Sequence, residues 1–312
     1  MGFMPTPGRS RGTTAAVLSL LAATLFWAGN YLVGEAAVAA IDPISLVFLR
    51  WALAAVPLVV IAHVVERPSW RDALRAWPWL IALSATGVVG YTLLLYGALQ
   101  FTSAFNASLI NAFNPALIAL AAALFLRERL TPSAIIGILL ALVGVLIVLS
   151  GGDVSALLSG SSGPGDLLMI GAIVAWTAYT ILGRVAPKVP PITSTALQAV
   201  IAALAVAPLM FTTGGLAPPT DAATWSALLF IVVFPSVLAY LLWNRALTVI
   251  PPGRAGVFLN MLTVFTAVLT VLLGQPVSAA QVLGGIVILA GIAITNARAF
   301  RRAPATEEAR TG

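Results

Sequence analysis

Ten apolar runs divide this chain, each long enough to cross about 30 Å of hydrocarbon at about 1.5 Å of helix per residue. They lie near residues 14–38, 43–63, 77–98, 103–126, 131–150, 166–186, 191–211, 223–246, 252–273 and 278–297. Turn-rich joints separate them: IDP at 41–43, LTP at 130–132, SGSSGPGD at 159–166, VPP at 189–191, LAPPTD at 216–221 and IPPG at 250–253. Backbone inside hydrocarbon must satisfy its own hydrogen bonds, which leaves helices as the form such runs can take. The expected fold class is therefore an all-α polytopic membrane protein with ten transmembrane helices. Composition agrees, because 8% charged residues against 60% hydrophobic ones cannot cover a water-exposed surface, which in soluble domains carries about 25% charge.

The basic residues test the number of crossings. Arg9 and Arg11 precede the first run; Arg67, Arg71 and Arg75 follow the second; Arg127 and Arg129 follow the fourth. Arg184 and Lys188 follow the sixth, Arg245 and Arg254 flank the joint after the eighth, and Arg298, Arg301, Arg302 and Arg310 follow the tenth. Ten crossings thus put fifteen of the sixteen basic residues on one face, while the opposite joints hold Asp42, Asp153, Asp166 and Asp221 and no Lys or Arg. By the positive-inside rule both termini are expected in the cytoplasm. Only Arg50, inside the second run, departs from the pattern. The first run is too long for a secretory signal core and is expected to stay in the membrane. MGFMPT formally matches a myristoylation pattern, from which a multispanning chain gains almost nothing.

The chain also repeats itself. Trp27 pairs with Trp176, Gly34 with Gly183 and Tyr91 with Tyr240 at an offset of 149; Gly137 and Gly144 pair with Gly284 and Gly291 at 147. A nearly constant offset along five runs is hard to reach by chance. Five is odd, so the second half enters the membrane from the other side, giving two inverted five-helix repeats about an axis in the membrane plane. The expected units are 1–150, 166–298 and a cytoplasmic tail at 299–312. Two such halves can exchange conformations, which is the mechanical basis of alternating access.

Polar residues recur at helical spacing within these apolar runs. Trp27, Asn30, Tyr31 and Gly34 form one stripe of the first, and Trp176, Tyr179, Thr180 and Gly183 repeat it on the sixth. The fourth carries Asn111 and Asn114 beside Pro115, the third Gly87 and Tyr91, the eighth Ser236, Tyr240 and Trp243, and the ninth Asn260, Thr263 and Thr270. Such groups cannot face lipid. Two readings stand: interhelical packing, with amides and hydroxyls bonding across helices, or a shared cavity. Trp27, Trp176, Tyr91 and Tyr240 lie too deep for an interfacial belt and favour the cavity; Asn111 and Asn114 fit either. Trp70, Trp77 and Trp79 fit a belt at the cytoplasmic edge. The candidate substrate-binding residues are Trp27, Asn30, Tyr31, Tyr91, Asn111, Asn114, Trp176, Tyr179, Tyr240 and Trp243.

Glu35 and Arg50 are the ionisable groups that fall inside the apolar slab away from the cytoplasmic rim. A structural ion pair or snorkelling accounts for them, with recognition of a substrate carboxylate by Arg50 as the alternative. His63 closes the second run at the cytoplasmic edge, a poor place for proton transfer. Pro57, Pro115, Pro208 and Pro235 interrupt runs as bends or static kinks.

The stretch ASLINAFNPALIALAAALFLRERLTPSAIIG, Ala107 to Gly137, resembles the signature region of the EamA-type branch of the drug/metabolite transporter superfamily, most recognisably in LFLRERLTP. The likeness covers nearly the whole chain and extends in particular to the YddG-type amino-acid exporters. It implies a basket-like fold whose central cavity is lined chiefly by helices 1, 3, 4, 6, 8 and 9 and works by alternating access. Two departures matter: Gln275 in GQPVS stands where the repeat of Glu128 is expected, and NMLTVF at 260–265 lacks the Asn-Pro pair. Glu128, between Arg127 and Arg129, suits a structural or gating role rather than substrate contact.

The expected function is export of amino acids or related small metabolites through an inner membrane, by a multi-pass monomer whose partners are its substrate and the bilayer, with no nucleic acid. Sugar-phosphate carriage calls for several cavity cations, and the runs offer only Arg50. An intramembrane enzyme lacks parts: one His, no Cys and no carboxylate pair at mid-depth. The same poverty of ligands leaves no metal or cofactor expected. No selectivity ring for a pore is visible.

Overall fold

The computed structural model describes residues 7–153, 163–213, 215–216, 218–250 and 255–301. Joint residues 159–162 and 251–254 and most of the expected tail, with Arg254, Arg302 and Arg310, lie outside the described residues. Eight helices are long and apolar enough to cross a membrane: Gly12–Ala37, Pro43–Glu66, Trp77–Leu99, Ala104–Phe125, Pro132–Leu149, Pro164–Val185, Pro191–Phe211 and Ala222–Leu247. Two shorter apolar helices follow, Phe258–Leu272 and Ala279–Thr295. They are numbered one to ten below. Among the described residues there is no strand, and one extra short helix, Trp70–Leu74, sits between helices two and three.

The joints work as their sequences suggest. Proline stands in the first turn of helices two, five, six and seven, where its missing N–H costs nothing. Asp42, Ser103, Thr131 and Asp221 accept N–H bonds at the starts of helices two, four, five and eight. Helix seven begins after Pro190, which has no side-chain acceptor; Glu66, at the end of helix two, supplies one, taking the N–H groups of Ile192 at 2.9 Å and Thr193 at 2.7 Å. Glu35 does likewise for helix four, accepting the Ala104 N–H at 3.0 Å.

Several helices change pitch mid-course. Helices three and eight each pass through a seven-residue π-helical segment, Ser84–Gly90 and Val232–Leu238. In helix eight, Pro235 has no N–H to offer the Ile231 carbonyl four residues back, and the Ser236 hydroxyl donates to that carbonyl at 2.6 Å instead. Helix four breaks between Ala104–Asn111 and Asn114–Phe125, because Pro115 lies in the first turn of the second piece. Helix nine opens with a 3-10 turn, Gly256–Asn260.

The core contains Tyr31, Trp51, Tyr96, Leu46, Leu95 and Met169, each under 2% exposed. Large apolar side chains such as Leu124, Phe125, Phe211 and Leu272 point outward, as lipid contact requires. Helices five and ten touch along their backbones. A Cβ on Gly144 would lie 2.7 Å from the Gly284 carbonyl oxygen, and one on Gly291 would lie 2.5 Å from the Gly137 carbonyl oxygen. Gly137 thus faces Gly291 while Gly144 faces Gly284, so the two helices run antiparallel.

Candidate functional site

One cavity draws its walls from helices of both halves. Helix one contributes Trp27, Asn30 and Tyr31, helix two Arg50, and helix three Gly87, Tyr91 and Thr92. Helix four adds Asn111, Asn114, Pro115 and Ile118; helices six, eight and nine add Trp176, Tyr240 and Asn260, with Leu259 and Leu262 beside the last. The pitch changes of helices three and four fall at this wall, since Gly87 lies within the π segment and Asn111 and Asn114 flank the break.

Aromatic rings make up much of the surface. Trp27 packs against Tyr240 at 5.7 Å and Trp243 at 5.4 Å between centroids, and Tyr91 against Trp176 at 5.1 Å. The Trp27 indole N–H donates to the Pro235 carbonyl at 3.1 Å, which ties helix one to the π segment of helix eight.

Two polar chains link residues of the wall. The hydroxyls of Tyr31 and Tyr91 share a bond of 2.8 Å, and Tyr91 donates onward to Asn111 Oδ1 at 3.4 Å. In the second chain, Asn30 Oδ1 accepts from the Tyr96 hydroxyl at 2.8 Å and from Arg50 Nη1 at 3.2 Å, and Nη1 also donates to the Tyr96 oxygen at 2.6 Å. The guanidinium carbon lies 4.8 Å from the Trp51 ring centre and 5.7 Å from that of Tyr96.

Arg50 differs from its expected behaviour. It is 4% exposed, too deep to snorkel, and no carboxylate lies within ion-pair distance among the described residues. Glu35 is occupied at the Ala104 N–H on another helix. His63 accepts a bond from the Trp70 indole at 3.3 Å and stacks on it, outside the cavity.

Eight of the ten candidate residues meet in the cavity: Trp27, Asn30, Tyr31, Tyr91, Asn111, Asn114, Trp176 and Tyr240. Tyr179 and Trp243 stand one layer back. Tyr179 packs on Trp176 and fills the space that the absent side chain of Gly87 leaves, and Trp243 supports Trp27. Helical spacing put both on the right stripe, but a stripe spans more arc than a cavity does. Gly34 and Ser236 likewise serve packing, the first against the Tyr96 ring and the second at the Ile231 carbonyl. Thr92, Ile118, Leu259 and Leu262 had no chemical signal to single them out; Thr92 alone could have been reached, as the hydroxyl next to Tyr91.

Helices four and six are joined along their length by polar contacts. Asn106 donates to Asp166 at 2.9 Å near one end, Thr177 to Asn114 at 3.1 Å in the middle, and Arg184 to Glu128 at 2.8 Å near the other. Asn114 therefore serves both packing and the cavity wall.

The sequence model of the EamA-like transporter family matches residues 14–150 and again residues 163–297. The chain belongs to the EamA-like transporter family. Among relatives of this EamA-like protein, the uncharacterized transporter YyaM of Bacillus subtilis is 28% identical over 278 residues, covering 88% of this chain and 91% of the relative. An uncharacterized transporter of Archaeoglobus fulgidus is 29% identical over 283 residues, covering 89% and 96%. The uncharacterized protein PA1977 of Pseudomonas aeruginosa is 31% identical over 311 residues, covering 92% and 96%. A crystal structure 20% identical in sequence superposes with a TM-score of 0.62 over 90% of this chain and 98% of that one, which shows a shared fold. The EamA-like chain is thus a multi-pass membrane transporter rather than an enzyme, with a small-molecule substrate and the bilayer as its surroundings.

Proposed function

We propose that this transporter exports amino acids or related small metabolites across a bacterial inner membrane by alternating access, as a monomer related in activity to the YddG-type amino-acid exporters. The observation that carries the reading is the cavity itself, which takes aromatic walls and amide and hydroxyl groups from helices one, three and four and from helices six, eight and nine. Rings shape an apolar pocket for a substrate's body, and Asn30, Asn111, Asn114 and Asn260 orient its polar end.

Alternating access rests on two inverted five-helix repeats with both termini cytoplasmic; the one-sided basic residues favour that orientation, and three features support the inversion. The family model fits twice, once on each half. The π segments Ser84–Gly90 and Val232–Leu238 and the helical pieces Asn114–Phe125 and Met261–Leu272 occupy equivalent places. The contact of helices five and ten is reciprocal: Gly137 and Gly144 correspond to Gly284 and Gly291 in sequence, yet Gly137 meets Gly291 and Gly144 meets Gly284. A two-fold axis between equivalent antiparallel helices produces such an exchange, and it lies perpendicular to them, in the membrane plane.

The test is transport by the purified protein in liposomes, offering a panel of amino acids with and without a proton gradient. Movement of at least one amino acid is expected. Failure of every amino acid together with movement of a phosphorylated metabolite overturns the reading.

A further inference from the structure

We infer that Arg50 is the substrate's carboxylate-binding group, so that the cavity requires one carboxylate of its ligand and does not require an amine. The inference rests on the transporter reading and narrows its substrate class to organic monocarboxylates with an aromatic or apolar body.

A guanidinium stays ionised at any physiological pH, and a buried charge without a counter-ion is costly. Arg50 is 96% removed from solvent, by its 4% exposure, yet among the described residues no Asp or Glu pairs with it. Its partners are neutral: the Asn30 amide oxygen and the Tyr96 hydroxyl, both met by Nη1. Among the described residues Nε is buried without a partner, and Nη2 makes no hydrogen bond. The side chain lines the cavity, its plane steadied by the rings of Trp51 and Tyr96. A fixed cation at the cavity wall, unneutralised among the described residues and flanked by aromatic rings, is complementary to a carboxylate on an apolar body.

The cavity is lopsided in charge. None of the residues that line it is Asp or Glu, so a substrate ammonium finds neutral acceptors and ring faces there but no carboxylate. Losing the carboxylate leaves Arg50 unneutralised, whereas losing the amine leaves nothing unpaired. The Tyr31 hydroxyl is engaged with that of Tyr91 and the Tyr91 hydroxyl with Asn111, and Arg50 is the one cation among the lining residues.

Four probes that share a phenylethyl body separate these requirements: L-phenylalanine, 3-phenylpropanoate, 3-phenylpropanamide and 2-phenylethylamine. Binding to the full-length protein in detergent is read by quenching of tryptophan fluorescence, since Trp27 and Trp176 line the cavity, and by thermal shift. The two carboxylates are expected to bind, with 3-phenylpropanoate at least as tight as phenylalanine, and the amide and the amine about ten- to a hundredfold weaker. Arg50→Gln is expected to remove the preference, and Arg50→Lys to keep part of it. Equal binding of amide and carboxylate, tenfold tighter binding of phenylalanine than of 3-phenylpropanoate, or no binding of either carboxylate overturns the inference. If Arg50→Gln does not fold, the probe series on the unaltered protein decides alone. These outcomes are separable from the proposed function, which is tested by transport in liposomes and falls if every amino acid fails while a phosphorylated metabolite moves, whereas the inference about Arg50 is decided by binding of the four probes.

Discussion

The indole N–H of Trp27 reaches the main-chain carbonyl of Pro235, 208 residues away in sequence and 3.1 Å away in space. It joins the first helix to the helix eight segment where the backbone is least regular. The ring also packs on Tyr240 and Trp243, so one side chain braces both the cavity wall and the bend. Trp27→Phe keeps a ring and loses the bond, and is expected to cost about 0.5–1.5 kcal/mol in thermal melts. Trp27→Ala and Trp176→Ala remove cavity wall and are expected to cut transport severalfold. Unchanged transport of every solute by both alanine variants would remove them from the substrate path.

Helices five and ten are packed backbone to backbone, which leaves no room for a side chain at the crossing. Gly144→Val drives its Cβ into the Gly284 carbonyl and the Ile288 main chain and is expected to destabilise the protein by about 1–3 kcal/mol. Gly183→Ala is the matched control, because its Cβ would find nothing nearer than Leu83 Cδ2 at 3.9 Å, and it is expected to stay within about 0.5 kcal/mol of the parent. Melting midpoints in detergent check both.

The contacts that join helices four and six are unequal in their surroundings. Glu128 and Arg184 are 55% and 44% exposed, so Glu128→Gln is expected to cost under about 1 kcal/mol and less still in high salt. Asp166 accepts from Asn106 at 2.9 Å and Thr102 at 3.3 Å where neither partner is fully exposed, and Asp166→Ala is expected to cost more, about 1–3 kcal/mol. Thermal melts at low and high salt rank the pair; a larger loss at Glu128 than at Asp166 would contradict this ordering.

Asp221 lies just outside helix eight and caps it. The Thr224 hydroxyl at 2.6 Å, and then the Thr224 N–H at 2.8 Å, favour its ionised form and hold its pKa below the ordinary carboxylate value. Because the folded value is the lower one, the contribution is present above the unfolded value of about 4 and is lost as pH falls through the folded value. Asp221→Ala is expected to lower the melting midpoint at pH 7, with a gap to the parent that narrows at pH 3. An equal gap at both pH values would show that charge plays no part in the cap.

Much of the cavity lining, the candidate site, was legible from sequence because hydrocarbon is an unforgiving solvent. A polar or aromatic residue deep in an apolar run has few places to turn, so Trp27, Asn30, Tyr91 and Trp176 declared themselves by position. Tyr179 and Trp243 carry the same signal and sit behind the wall, since helical spacing assigns a face but not a depth.

The amino-acid sequence by itself determined the helical membrane fold, the sites of the joints and the stripes that turn inward, because each follows from local chemistry in lipid: apolar length, proline and capping residues, and a 3.6-residue period. Tertiary structure alone decided how groups far apart in the chain meet. It placed Glu35 and Glu66 at the starts of other helices, set Gly137 against Gly291, and left a guanidinium in the cavity with no counter-ion among the described residues. A charge can be read from one residue, but whether it is neutralised depends on partners that only the packing of distant helices brings near.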